Sequence, residues 1–152
     1  MGHREVLGGW PDVAEAAGTA DVALAHHVTY NVPDLGPFVR ALDAAARHRV
    51  VIEMTAVHPN VPTRDLWQRF HGLDRPSGPD ADLCLEVVRE CGFDVAVQRW
   101  QRPGRRTDRA VTVAFLRKRL CLPYDAEPAV DAALPAGYEF DLRDVVTFWW
   151  DT

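Results

Sequence analysis

An α/β fold built on a mostly parallel sheet is what this sequence predicts, on three observations. Val22-Ala23-Leu24-Ala25 is a short, unbroken apolar run after Asp21, the pattern of a strand buried on both faces. Strand, helix and strand then follow within about thirty residues, the βαβ unit that requires a parallel, right-handed crossover. The chain closes on Val145-Val146-Thr147-Phe148-Trp149-Trp150, a strongly β-prone run.

Taken in order, Glu5-Val6-Leu7 reads as the tail of a strand, and Gly8-Gly9-Trp10-Pro11-Asp12 as a turn by its glycine and proline content. Val13 to Ala17 suits one helical turn. The strand at 21–27 ends abruptly in His26, His27, Tyr30 and Asn31. Asp34 and Pro37 are helix-start signals, and Phe38, Leu42 and Ala45 give the following helix its apolar face. Arg49 to Met54 is the second strand. Residues 55–79 form a long, proline-rich connection with one short helix, Arg64 to His71, whose aromatic side chains suit a lid. Asp80 to Cys91 is the clearest helix, with Leu83, Cys84, Val87, Val88 and Cys91 at helical spacing and Gly92 as its stop. Phe93 to Trp100 alternates as a third strand, and Gln101 to Asp108 is a basic loop. Residues 109–120 are ambiguous: Val111-Thr112-Val113 favours a strand by propensity. Thr107 or Asp108 can instead cap a helix, with Arg117-Lys118-Arg119 facing its negative end, and the helix is the reading taken. A short helix at Glu127 to Leu134 precedes the closing strand.

Length and composition bound the function. At 152 residues the chain, 1–152, is a single domain able to bury a core. A net charge of −5 argues against a nucleic-acid footprint, and Arg102, Arg105, Arg106 and Arg109 read as solvated charge. No apolar run approaches the ~20 residues of a membrane span. Cys84, Cys91 and Cys121 show no metal-type pairing and fit a reducing compartment, so a cytoplasmic location is the expectation.

Asp21 to Leu35, reading Asp-Val-Ala-Leu-Ala-His-His-Val-Thr-Tyr-Asn-Val-Pro-Asp-Leu, resembles the fourth strand and following turn of the class I S-adenosylmethionine-dependent methyltransferases. Arg49 to Glu53 is similar to that family's fifth strand, and Cys91-Gly92-Phe93 to the start of its sixth. Val145 to Trp150 resembles the antiparallel seventh strand, inserted between the fifth and sixth. The resemblance covers the whole chain at the level of pattern. It implies a partial Rossmann-like methyltransferase sheet, mostly parallel with an antiparallel C-terminal strand and helices on both faces. The family's glycine-rich cofactor turn and ribose-binding carboxylate have no counterpart here. The chain is therefore read as part of a longer enzyme, or as a reduced domain.

From this resemblance follow the candidate roles. His26 and His27 stand at the carboxyl end of a strand, where α/β proteins bind ligands, and either can serve as general base. If the strand runs through both, they point to opposite faces and only one meets the pocket. A hydrogen-bonded structural histidine is the competing reading. Gly9, Trp10 and Asp12 resemble the segment bordering adenine, with Trp10 stacking and Asp12 accepting from the amine. Tyr30, Asn31, Glu53, His58, Trp67 and His71 would meet the acceptor, with Phe70 and Arg75 beside them. Turn formation by Asn31 and lid packing by the aromatics are the plainer alternatives. His26, His27, Glu53, His58 and His71 lack ligand-type local spacing, and no metal is expected.

The implied activity is methyl transfer from S-adenosylmethionine to a small-molecule acceptor, oxygen or nitrogen ahead of carbon. No nucleic acid or membrane partner is expected. The alternative is a truncated, non-catalytic domain used for binding or oligomerisation, pairing as a homodimer or with a partner chain across an exposed sheet edge at 21–27. A metal-dependent hydrolase is the third reading.

Overall fold

In the computed structural model, which describes residues 2–103, 108–135, 138 and 142–152, four strands pair in one sheet. They are β1 (Ala20–His26), β2 (Ala46–Thr55), β3 (Ala96–Pro103) and β4 (Leu142–Asp151). Their order is β1-β2-β4-β3, with β1 and β2 parallel and β4 antiparallel to both of its neighbours. The expected mixed sheet is thus borne out, with the last strand inserted between the second and third. Helices α1 (Ala14–Ala17), α2 (Leu35–Ala45), α3 (Arg64–His71), α4 (Ala81–Glu90), α5 (Arg109–Arg119) and α6 (Glu127–Ala133) surround it. No helix among the described residues is long and apolar enough to cross a membrane.

Strand alternation divides the sheet into two unlike faces. Ala25 lies beside Ile52, Ile52 beside Phe148 and Phe148 beside Val97, one apolar row across all four strands. This face meets Phe38, Val39 and Leu42 of α2 and Cys84, Leu85 and Val88 of α4 in a single core. Phe93 stacks on Trp150 at 4.7 Å, and the Trp150 indole N–H donates to Asp43 of α2 at 2.9 Å. The opposite face carries the rows Leu24–Val51–Trp149–Ala96 and His26–Glu53–Thr147–Gln98. Apart from the sheet, Leu66 of α3, Val113, Leu116 and Leu120 of α5, Val130 of α6 and Leu134 form a second apolar cluster. Arg109 ties the start of α5 to α6 through the Asp131 carboxylate and the carbonyls of Asp131, Leu134 and Pro135.

Several expectations are corrected. β1 is not buried on both faces: it is an edge strand, with Val22 50% and Leu24 65% exposed and only Ala25 fully covered. The covering helices α2 and α4 both sit on its other side. Glu5-Val6-Leu7 is irregular, because no described strand lies beside it. The third strand begins at Ala96 rather than Phe93: its pairing with β4 starts at Ala96 opposite Trp149, and Phe93 instead packs its ring on Trp150. It also runs on through Pro103, into the stretch read as a basic loop. Asp34 occupies the cap position of α2 without a side-chain cap bond. In α4 the buried face holds Leu85, while Leu83 is half exposed. Arg105, Arg106 and Thr107 lie outside the described residues; Asp108 caps α5 by accepting from the Ala110 N–H.

The two faces predict unequal sensitivities. Phe148→Ala, at a fully buried position, is expected to cost about 3–5 kcal/mol. Leu24→Thr, on the open face, should stay within about 0.5 kcal/mol. Urea unfolding of both variants checks this, and equal losses would sink the division.

Candidate functional site

The site is built where β1 stops. His26 is its last residue, and His27 then adopts a left-handed backbone with φ 55. The strand thus stops short of His27, so the condition under which the two histidines would face apart is not met. Their rings lie together, with centroids 4.2 Å apart at 61°. The His27 backbone N–H donates to the Glu53 carbonyl at 2.8 Å, holding the turn against β2. The left-handed conformation costs a non-glycine residue roughly 1 kcal/mol, and surrounding bonds must sustain it.

A hydrogen-bonded chain runs from here across the open face. The Trp100 indole N–H donates to Thr147 Oγ1 at 3.1 Å, and Thr147 donates to Glu53 Oε2 at 3.1 Å. Indole nitrogen can only donate, which leaves the threonine hydrogen for the carboxylate. The other carboxylate oxygen, Oε1, meets His26 Nε2 at 2.8 Å. One donor atom from each of His26, His27 and Glu53 lies within 4.8 Å of the other two.

Tyr30 is the second anchor, buried in the core at the strand ends. Thr55 Oγ1 donates to the Val57 carbonyl at 2.6 Å, so in its 2.6 Å contact with Tyr30 the phenol must be the donor. The phenol oxygen also accepts from the Thr55 N–H. Its remaining contact, His27 Nδ1 at 3.3 Å, therefore has the imidazole donating. This arrangement puts the His27 proton on Nδ1 and leaves the Nε2 lone pair free. Burial raises the Tyr30 pKa, which keeps the phenol protonated. Burial, and then the neighbouring His26, lowers that of His27, which keeps the imidazole neutral.

The other sequence candidates divide. His58 joins the cluster, its ring edge-on to Tyr30 at 5.4 Å, with Nδ1 accepting from the Asn60 N–H at 3.1 Å. Burial, then Arg75 and Arg119, lowers its pKa. Trp67 and His71 do not join: their rings pack against each other at 4.7 Å with a 33° tilt, and His71 Nε2 bonds the Leu120 carbonyl at 2.7 Å, tying α3 to α5. Arg75 covers the Trp67 ring. Asn31 is exposed in a 3-10 turn, Thr29–Asn31, and with Tyr30 lines an open groove of about 610 Å³ whose far wall includes Leu83. Trp10 packs half-buried against the main core, its indole N–H donating to the Phe38 carbonyl at 3.1 Å. Sequence reasoning missed Thr147, Trp100 and Thr55. The only local signal was Thr147, a lone hydroxyl inside an apolar strand.

A pH dependence follows from His58. Its folded pKa lies below the ordinary 6.5, so as pH falls the unfolded chain takes up the proton first. Stability is then full above that value and declines as pH drops through the lowered folded pKa. His58→Asn keeps an acceptor for the Asn60 N–H but does not titrate. Between about pH 7 and about pH 5 it should lose less stability than the wild type, with the His27 share of the decline remaining. Parallel curves from thermal unfolding would refute it.

No family model matches this sequence, and no curated protein does. Among solved structures, the chain is similar to phospholethanolamine N-methyltransferase 2 of Haemonchus contortus, determined with phosphomonomethylethanolamine and S-adenosylhomocysteine. The TM-score is 0.44 at 13% identity, over 87% of this chain and 33% of that one. It is also similar to a proposed methyltransferase of Bacillus halodurans C-125, with a TM-score of 0.46 at 8% identity. That match covers 88% of this chain and 64% of the other. The chain thus spans less than two thirds of either protein.

Proposed function

We propose that this chain is the acceptor-binding half of an S-adenosylmethionine-dependent methyltransferase acting on an oxygen or nitrogen of a small molecule. The observation that carries the reading is the pair of histidines at the carboxyl end of β1, in a sheet ordered β1-β2-β4-β3 with a reversed last strand. This is the order that the sequence resemblance implied.

His27 Nε2 receives the acceptor proton, with Tyr30 holding the opposite nitrogen as a donor and so fixing the tautomer. His26 and Glu53 orient the acceptor beside it. The donor supplies an activated methyl carbon. On its side the described residues offer the turn of Gly9, Trp10 and Asp12. Gly8 has φ 147, and a Cβ there would overlap Val13, so that glycine serves its own turn. Gly9 is open: a Cβ added there would find its nearest neighbour, Asp12 Oδ2, 4.0 Å away. A fixed indole and an exposed carboxylate suit an adenine; a ribose-gripping carboxylate is not evident among the described residues.

A second reading, a non-catalytic module, is favoured by the free edge of β1 and its exposed Val22 and Leu24. In that case two copies, or a partner chain, pair across the edge.

Calorimetric titration with S-adenosylhomocysteine tests the first reading. Saturable heat from this chain, or from a longer product of the same reading frame, supports it; none from either removes it. In a methyl-transfer assay, His27→Ala should lower kcat by about 10²–10⁴-fold, and Tyr30→Phe by a smaller factor. For the second reading, light scattering should give a dimer that Leu24→Lys dissociates; a monomeric wild type overturns it.

A further inference from the structure

We propose that His26, His27 and Glu53 form a binding site for a divalent transition metal ion of the zinc class. Two imidazoles and one carboxylate suit zinc, cobalt, nickel, iron or manganese rather than magnesium or calcium. Three protein ligands leave further positions open to water or a ligand.

Geometry carries the assignment. Donors at ~2.0–2.2 Å from a tetrahedral or octahedral ion stand roughly 2.9–3.6 Å apart when adjacent. His26 Nε2 and Glu53 Oε1 already lie 2.8 Å apart, and the three-residue set closes within 4.8 Å. The outer contacts match those that metal ligands require. Thr147 holds the carboxylate by its other oxygen, Oε2, and Trp100 holds Thr147. Tyr30 accepts from His27 Nδ1, leaving Nε2 as the free donor atom. The left-handed backbone of His27 is a separate indication, since its effect is to bring a second imidazole to the carboxylate. Arg102 and Arg143 act on His27 through space and oppose a cation, while the Glu53 carboxylate favours one.

Such an ion would bind an acceptor hydroxyl directly and acidify it, so His27 would serve as ligand instead of base. That consequence rests on the proposed function; binding of the ion does not.

The test uses the metal-free full chain carrying His3→Gln, because an amino-terminal histidine chelates metals on its own account. Cobalt chloride is added while visible absorption is followed, and zinc chloride then competes by calorimetry. One saturable cobalt equivalent, displaced by zinc, is expected. Glu53→Gln and His27→Asn should each weaken zinc binding by at least about 10-fold, and Thr147→Val by about 10-fold. His48→Gln, at an exposed imidazole beside Asp21 at the far end of β2, should bind as the parent does, and circular dichroism verifies the fold of each variant. Absence of saturable binding in the parent overturns the proposal, as does binding that survives both Glu53→Gln and His27→Asn. A separate titration with S-adenosylhomocysteine reports on the donor side, so the two ideas fail independently.

Discussion

The sheet depends on where β4 lies. Among the described residues β3 pairs with β4 alone, and β2 uses β4 for its second ladder. Without residues 142–151 the sheet would reduce to the β1–β2 pair, and the core would lose Val146, Phe148 and Trp150 together. A two-stranded pair is marginal by itself, and the helices packed on it would lose the middle of the core they share. β4 therefore ties the β1–β2 half of the sheet to β3 and completes the core beneath both. Its antiparallel direction also matters for chemistry, because it brings Thr147 level with Glu53 in the row that begins at His26.

That row explains how an open sheet face can hold a defined polar site. Glu53 and His26 are partly exposed, and a carboxylate–imidazole pair in such a setting is worth little by itself. Direction comes from the flanking bonds instead. Trp100 can only donate, Thr147 passes its hydrogen on, and the carboxylate accepts from both sides. On the other flank, Thr55 commits its hydrogen to a backbone carbonyl, and this orients Tyr30 and through it His27. Backbone geometry at one end and an indole at the other thus set the donor and acceptor roles.

Much of the fold was legible because it rests on local patterns. Helical spacing marked α2 and α4, Asp108 and the trailing cations marked α5, and Val145 to Trp150 declared a strand by propensity. The failures were of context. An apolar run such as Val22 to Ala25 reads as buried, but its exposure depends on what else covers the sheet, which no local pattern records. The site was half legible. Polar residues at a strand end flagged His26, His27, Tyr30 and Glu53, whereas Thr147 and Trp100 entered only through cross-strand register. His71 and Trp67 misled for the same reason: aromatic character was visible, but the α3–α5 contact that consumes it was not.

The left-handed backbone at His27 has a consequence for how this chain could be altered. Glycine or asparagine would adopt that conformation at lower cost, so position 27 is one where the most stable residue and the present one differ. Selection for stability alone would drift away from histidine, and thermostabilising designs would replace it early. Any variant library of this protein sorted only by melting temperature would discard the imidazole that its site is built around.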